Sequence, residues 1–191
     1  MKKIIYIAGD PGTGKSTVGL ELAKKIKAAI IDKDTMCDTL THFIAEYVGE
    51  KHPKDSTLYE RHLRNLEYSS MEKIMIENII ALDTVVMIAP FGKEVKPESE
   101  YFQNLKFKMK KKYNMDVQIL IFIITCSPEE NRLRITKRNR KDDFLKIKNW
   151  EKYAKKRKLG ESKIYHIYTK AEIENNDQNV TVNQIFNLIN C

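Results

Sequence analysis

Near the start of the chain, Gly9, Asp10, Pro11, Gly12, Thr13, Gly14, Lys15 and Ser16 fill a Gly-x-x-x-x-Gly-Lys-Ser pattern, and Thr17 follows. Glycines at this spacing let a loop turn its backbone N–H groups into one concavity, and a helix starting directly after it adds the positive end of its dipole. Such a cradle suits a polyphosphate. Lys15 can reach β- and γ-phosphate oxygens, and the Ser16 hydroxyl can ligate a Mg2+ that bridges them.

Two further groups carry charge that this chemistry needs. A short apolar run over residues 28–31 ends at Asp32, Lys33 and Asp34. A carboxylate there can orient a hydroxyl and accept its proton while a phosphoryl group moves across. Either aspartate is placed for that task; we assign the base to Asp34, and to Asp32 the holding of water or Mg2+. An aspartate directly before a helix is also a preferred cap, and Asp34 precedes Thr35 in that manner. Farther along, Arg132, Arg134, Arg138 and Arg140 crowd one predicted helix. Arg134 and Arg138 are four apart and share a face. Like charges this close repel unless an anion neutralises them, and the planar guanidinium fork fits phosphate oxygens. A solvated basic helix is the plain alternative.

The elements that must position these groups alternate along the chain. Residues 4–8 read as a buried strand, and Val18, Leu22 and Ile26 recur at helical spacing after the glycine loop. A helix over 35–48, a linker containing Pro53 and a long helix over 58–82 come next. Within the long helix, Arg61, His62, Arg64 and Tyr68 are candidates to touch an acceptor, with Phe91 beyond the third strand at 84–89. That strand ends in Pro90 without an acid, unlike the element that activates water in motor ATPases. Pro97 is expected to open a helix ending in Lys110, Lys111 and Lys112. The run from Val117 to Thr125 is apolar on both faces, which marks a central strand. Ser127, Pro128 and Glu130 form a helix start. A fifth strand is expected at 163–168 and a last helix opening at Thr181. The alternation predicts a parallel sheet with the first strand in its middle.

A length of 191 residues predicts one domain with a sizeable core. The net charge of +8 resides in residues 101–158, which carry 18 basic and 6 acidic side chains. Such a segment fits a polyanion partner or a solvated helix surface. Cys37, Cys126 and Cys191 have no metal-ligand spacing. No leader or membrane span is visible, so we expect a cytoplasmic protein with reduced thiols.

Taken together, the Gly9 to Ser16 loop, the Asp32-Lys33-Asp34 strand end and the arginine helix after Ser127 resemble the small P-loop kinases. This group includes zeta toxins, chloramphenicol phosphotransferase, gluconate and shikimate kinases and the polynucleotide 5′-kinase domain, built on an AAA-type ATP-binding core. The resemblance implies an α/β three-layer sandwich with a five-stranded parallel sheet, an acceptor-binding helical insertion over about 38–82 and a lid over about 132–145. ATP and Mg2+ are then co-substrates, and a small hydroxyl-bearing molecule is the acceptor. By this pattern Lys15, Asp34, Arg134 and Arg138 are catalytic, Ser16 and Asp32 hold the metal, and Thr169 lies where such kinases touch the adenine. Polynucleotide kinases carry an arginine shortly after the base, where this chain has Met36, Cys37 and Asp38. A 5′-hydroxyl polynucleotide kinase and a non-catalytic ATP-binding regulator are the alternatives.

Overall fold

The computed structural model describes residues 1–156, 169–175 and 177–190. Five parallel strands, β1 (Lys2–Ala8), β2 (Ala29–Asp32), β3 (Thr84–Ile88), β4 (Val117–Thr125) and β5 (Thr169–Glu174), lie in the order β2-β3-β1-β4-β5. β1 is central. Its side chains alternate between two cores, Ile4 and Tyr6 on one face and Ile5 and Ile7 on the other. A strand covered on both faces needs an unbroken apolar run, which is why residues 4–8 and 119–124 carry no charge.

On one face, α1 (Lys15–Ile26) and α8 (Gln178–Asn190) bury Val18, Leu22, Val182 and Ile185. The other face takes Met71, Met75 and Ile79 from α3 (Arg64–Ala81), together with Phe102, Leu105 and Met109 from α4 (Tyr101–Tyr113). Fully burying one such side chain contributes about 1.5–3 kcal/mol. α2 (Lys33–Tyr47) links β2 to a short turn at Pro53–Asp55, and a π-helical turn at Tyr59–Leu63 leads into α3. After β4 come α5 (Pro128–Arg138), a turn at Lys141–Asp143, α6 (Phe144–Lys148) and α7 (Trp150–Lys156).

Four boundaries differ from the sequence expectation, each for a local reason. The Asp32 carboxylate accepts from the Asp34 and Thr35 N–H groups at 2.9 and 3.4 Å, so the cap is Asp32 and Asp34 falls inside the first turn of α2. α4 begins at Tyr101 rather than Pro97, with the Ser99 hydroxyl accepting from its first N–H at 3.3 Å. β5 runs over 169–174, and the expected 163–168 lies outside the described residues. Asp177, not Thr181, caps α8, accepting from the N–H groups of Asn179 and Val180 at 2.8 and 3.1 Å; Thr181 is buried one turn farther on.

Candidate active site

The glycine loop leaves the C-terminal end of β1 and wraps the N-terminus of α1. Gly14 is the residue before that helix and has φ of 92°, in the left-handed region; a Cβ there would come within 2.3 Å of Asn175 Nδ2. Only glycine fits such a position without strain. The loop is braced from behind. Asn175 Nδ2 donates to the Thr13 carbonyl at 2.9 Å, Arg134 donates to the carbonyls of Thr13 and Asn175 at 3.3 and 2.9 Å, and Asn131 Nδ2 donates to the Pro11 carbonyl at 2.8 Å. The Thr13 hydroxyl donates to the Asp10 carbonyl at 3.0 Å.

In front of the loop is a cavity of about 330 Å³, whose lining includes Gly12, Lys15, Ser16, Asp32, Asp34 and Arg138. The Lys15 ammonium donates to the Asp10 carbonyl at 2.7 Å. Its enclosure pulls its pKa down to about 8, against the opposing pull of Asp34 and Asp10. Ser16 and Asp32 both border this cavity, an oxygen donor pair suited to a hard divalent cation. Ile88, Ala89 and Pro90, at the end of β3, add no carboxylate.

Asp34 stands where this cavity meets a second one of about 190 Å³, and both are lined by Asp34, Arg138 and Arg140. Lys33 and Lys54 place their ammonium groups 3.1 and 3.0 Å from Asp34 Oδ1, and Arg140 lies 3.8 Å from Oδ2. Burial works to raise the Asp34 pKa, but Lys54 and Lys33 override it and hold the carboxyl well below the usual range. Lys33 itself is fixed from below: it donates to Glu67 Oε2 at 2.8 Å and to the Tyr59 hydroxyl at 3.2 Å, while Thr41 donates to Glu67 Oε1 at 2.6 Å. Lys33, Glu67 and Thr41 are all buried.

The segment after α5 crosses over this second cavity. Arg138 clasps Asp143 with two hydrogen bonds of 2.5 and 2.7 Å, and Asp142 Oδ2 lies 3.5 Å from Lys54 and 3.4 Å from His42. Asp38, His42 and Asp142 bring possible metal-ligand atoms within 4.8 Å of one another. Lys54 reaches both carboxylates, at 2.6 Å for Asp38, and so supplies the positive charge that a metal would bring.

Lys15, Ser16, Thr17, Asp32, Asp34, Arg134 and Arg138 thus gather on the first cavity, as do Pro11, Gly12 and Gly14. Gly9, Asp10 and Thr13 are not in its lining; they shape the loop from the sheet side, where a Cβ on Gly9 would strike the Ile124 carbonyl at 2.3 Å. Thr169 is displaced from its expected place: it begins β5, level with Leu120, five residues before the strand end where Asn175 meets the loop. The reason is the position of β5 itself, six residues later than expected.

The candidate acceptor contacts on α3 also part from the second cavity. Arg64 binds Glu94 at 2.8 Å, the Tyr68 hydroxyl accepts the Phe91 N–H at 3.2 Å, Phe91 is buried, and Arg61 and His62 are exposed. Lys54 and Tyr59 line that cavity instead. Sequence reasoning missed them, along with Asn131 and Asn175. Only Tyr59 had a signal, as part of the polar early turns before α3.

The AAA domain family model matches residues 4–159, and the chain belongs to that family. No curated protein matches the sequence. Among solved structures, a sugar kinase from Janibacter sp. HTCC2649 superposes with a TM-score of 0.63 at 11% identity, covering 100% of this chain and 95% of that one. Deoxyadenosine kinase from M. mycoides with bound dATP gives 0.53 at 17% identity, covering 100% of both chains, and its complex with dCMP and dCDP gives 0.57 at 18%, covering 98% of each. The fold is that of the small P-loop kinases.

Proposed function

We propose that this AAA-domain chain is a kinase that moves the γ-phosphoryl group of ATP to a hydroxyl of a small molecule. The observation that carries the reading is the meeting of two cavities at Asp34, one fronted by the glycine loop with Lys15 and the other closed by the segment after α5. A transferase needs two substrates in line across a shared point, and a hydrolase does not.

In this reading the loop N–H groups and Lys15 hold the phosphates, and Lys15 follows the charge that builds on the transferring group. Mg2+, when bound, would neutralise β- and γ-phosphate oxygens; Ser16 and Asp32 would hold it. Asp34 stays anionic because Lys33 and Lys54 face it, so it orients the acceptor hydroxyl and takes its proton late in the transfer. Low basicity suits a loose transition state in which the nucleophile has formed little bond. Arg138 and Arg140, on the border of both cavities, stand beside the migrating charge. Arg134 serves mainly as a brace for the loop. Residues 132–145 form the lid, and residues 38–82 are the insertion that faces the acceptor through Lys54 and Tyr59.

The polynucleotide reading loses its footing on position. Lys110 to Lys112 end α4 just before β4 begins, at the sheet edge opposite the glycine loop, and Lys108 and Lys110 pair with Glu72 and Asp116 at 2.6 and 2.5 Å. A second basic run that would suit a polynucleotide, residues 155–158, passes outside the described residues at 157 and 158. The test is transfer of label from γ-labelled ATP with Mg2+ to pooled sugars, nucleosides, antibiotics and 5′-hydroxyl oligonucleotides, with Asp34→Ala alongside. Label entering one pool, and not with the variant, is the expected result. ATP binding without transfer to any pool would favour a regulator.

A further inference from the structure

We propose that the second cavity takes a neutral, polyhydroxylated acceptor of about monosaccharide size, phosphorylated through one hydroxyl at Asp34 and gripped through another by Asp142. The proposal rests on the kinase reading and narrows its acceptor class.

Size comes first. The cavity measures about 190 Å³, below the roughly 300–1,000 Å³ typical of sites that enclose drug-sized ligands. Apart from Pro11, Pro90 and Tyr59 its lining is made of lysines, arginines and aspartates, and Tyr59 already lies beneath the Lys33 ammonium, 5.7 Å from its ring centroid. A flat apolar slot for a nucleobase is therefore missing from the described lining.

Charge comes second. Lys33 is bonded to buried Glu67, Lys54 to Asp34 and Asp38, Arg138 to buried Asp143, and Lys146 lies 3.3 Å from Asp143. An anionic acceptor would have to break one of these pairs, leaving a carboxylate enclosed without its partner. Arg140 is the exception, half-exposed and 3.8 Å from Asp34, and it borders the phosphate side as well.

The third observation asks for a donor. Asp142 turns Oδ2 toward Lys54 and His42, and its Oδ1 is buried without a hydrogen-bond partner. A buried carboxylate oxygen left unpaired is costly; once the carboxylate, held only at 3.5 and 3.4 Å through Oδ2, turns Oδ1 to the cavity, a hydroxyl satisfies it where a carboxylate or phosphate would repel it. Asp34 keeps Oδ1 on Lys54 and Lys33 and leaves Oδ2, 3.8 Å from Arg140, to accept from a hydroxyl. Two carboxylates on one small cavity, each with an oxygen to offer, match a molecule carrying at least two hydroxyls.

The step balances simply. The acceptor oxygen forms a bond to the γ-phosphorus, the bond from that phosphorus to the β–γ bridging oxygen breaks, its electron pair leaves with ADP, and the hydroxyl proton passes to Asp34.

The experiment uses the full chain with Mg2+ and γ-labelled ATP, comparing glucose and glucitol with gluconate and glucuronate, and with deoxyadenosine. A neutral polyol should show at least about tenfold higher kcat/KM than its acidic counterpart and than the nucleoside. Asp142→Asn should raise the KM for the neutral acceptor about tenfold, leave the KM for ATP within about twofold, and shrink the preference over the acid. Preference for an acid or the nucleoside overturns this inference while leaving the kinase reading intact. Label entering none of them while other pools accept it does the same, and label entering no pool overturns both. An unchanged acceptor KM in Asp142→Asn overturns the grip by Asp142. Melting temperature and ATP affinity show whether the variant is folded; if it is not, the matched comparison on the unaltered chain decides.

Discussion

The two cavities are built in opposite ways. On the loop side, a glycine-rich backbone shares the surface with Lys15, Ser16 and Asp32, and side chains brace that backbone: Asn175, Arg134 and Asn131 all bind loop carbonyls. Around the second cavity charged side chains dominate, with Lys33 and Lys54 on Asp34, Lys54 on Asp142 and Arg138 on Asp143. A backbone wall recognises what all nucleotides share, and a side-chain wall can be redesigned one residue at a time. The first should respond to substitution through geometry, the second through charge.

The sharpest way to break that contrast is Asp34→Ala. It should lower phosphoryl transfer by about 10³-fold or more, roughly 4 kcal/mol, with ATP affinity nearly unchanged; single-turnover kinetics and equilibrium binding separate the two. Parallel losses in both would show that the cavities are one unit. Glu67→Ala comes next. It strips the buried partner from Lys33 and should destabilise the fold by about 3–5 kcal/mol, read as a shifted denaturation midpoint.

On the loop side, Asn175→Ala leaves a Thr13 carbonyl short of a donor and should cost about 1–3 kcal/mol, with weaker ATP binding and an unaltered acceptor KM. The smallest effect is a proton count. Lys15 titrates near 8 when nothing neutralises it, so above that pH its ammonium is progressively lost. A bound polyphosphate favours the charged form and pulls the pKa back up, so binding at pH 8.5 should take up about three-quarters of a proton. Calorimetry in buffers of differing ionisation enthalpy measures it, and no uptake would mean that Lys15 does not meet the phosphates.

The same contrast explains what could be read from the chain before folding. The loop is a contiguous stretch whose spacing is its mechanism, and the strands of a doubly covered sheet announce themselves as apolar runs. Both were legible, as was β1 at the centre of the sheet. The second cavity is assembled from positions that include 33, 34, 54, 59 and 142, and no local pattern links them. The polar stretch around Arg61 and Arg64, nearest to it in sequence, is absent from its lining, and Arg64 is held by Glu94. The sequence offers Arg134 as a phosphate ligand, but its hold on the Thr13 and Asn175 carbonyls was not legible, since those partners are set by tertiary packing. Asp34 concealed its environment too: two flanking lysines hold its carboxyl well below the usual range, which spacing alone does not reveal.

The brace at Asn175 bears on the order in which the protein is made. The glycine loop leaves a ribosome well before Asn175, one of the two side chains that donate to its Thr13 carbonyl, which lies 162 residues later, just beyond β5. A nascent chain therefore exposes the loop long before it can lock it. The pairing of β5 with β4 becomes the step that completes the loop's bracing, and chains cut short before it would carry the motif without the Asn175 contact.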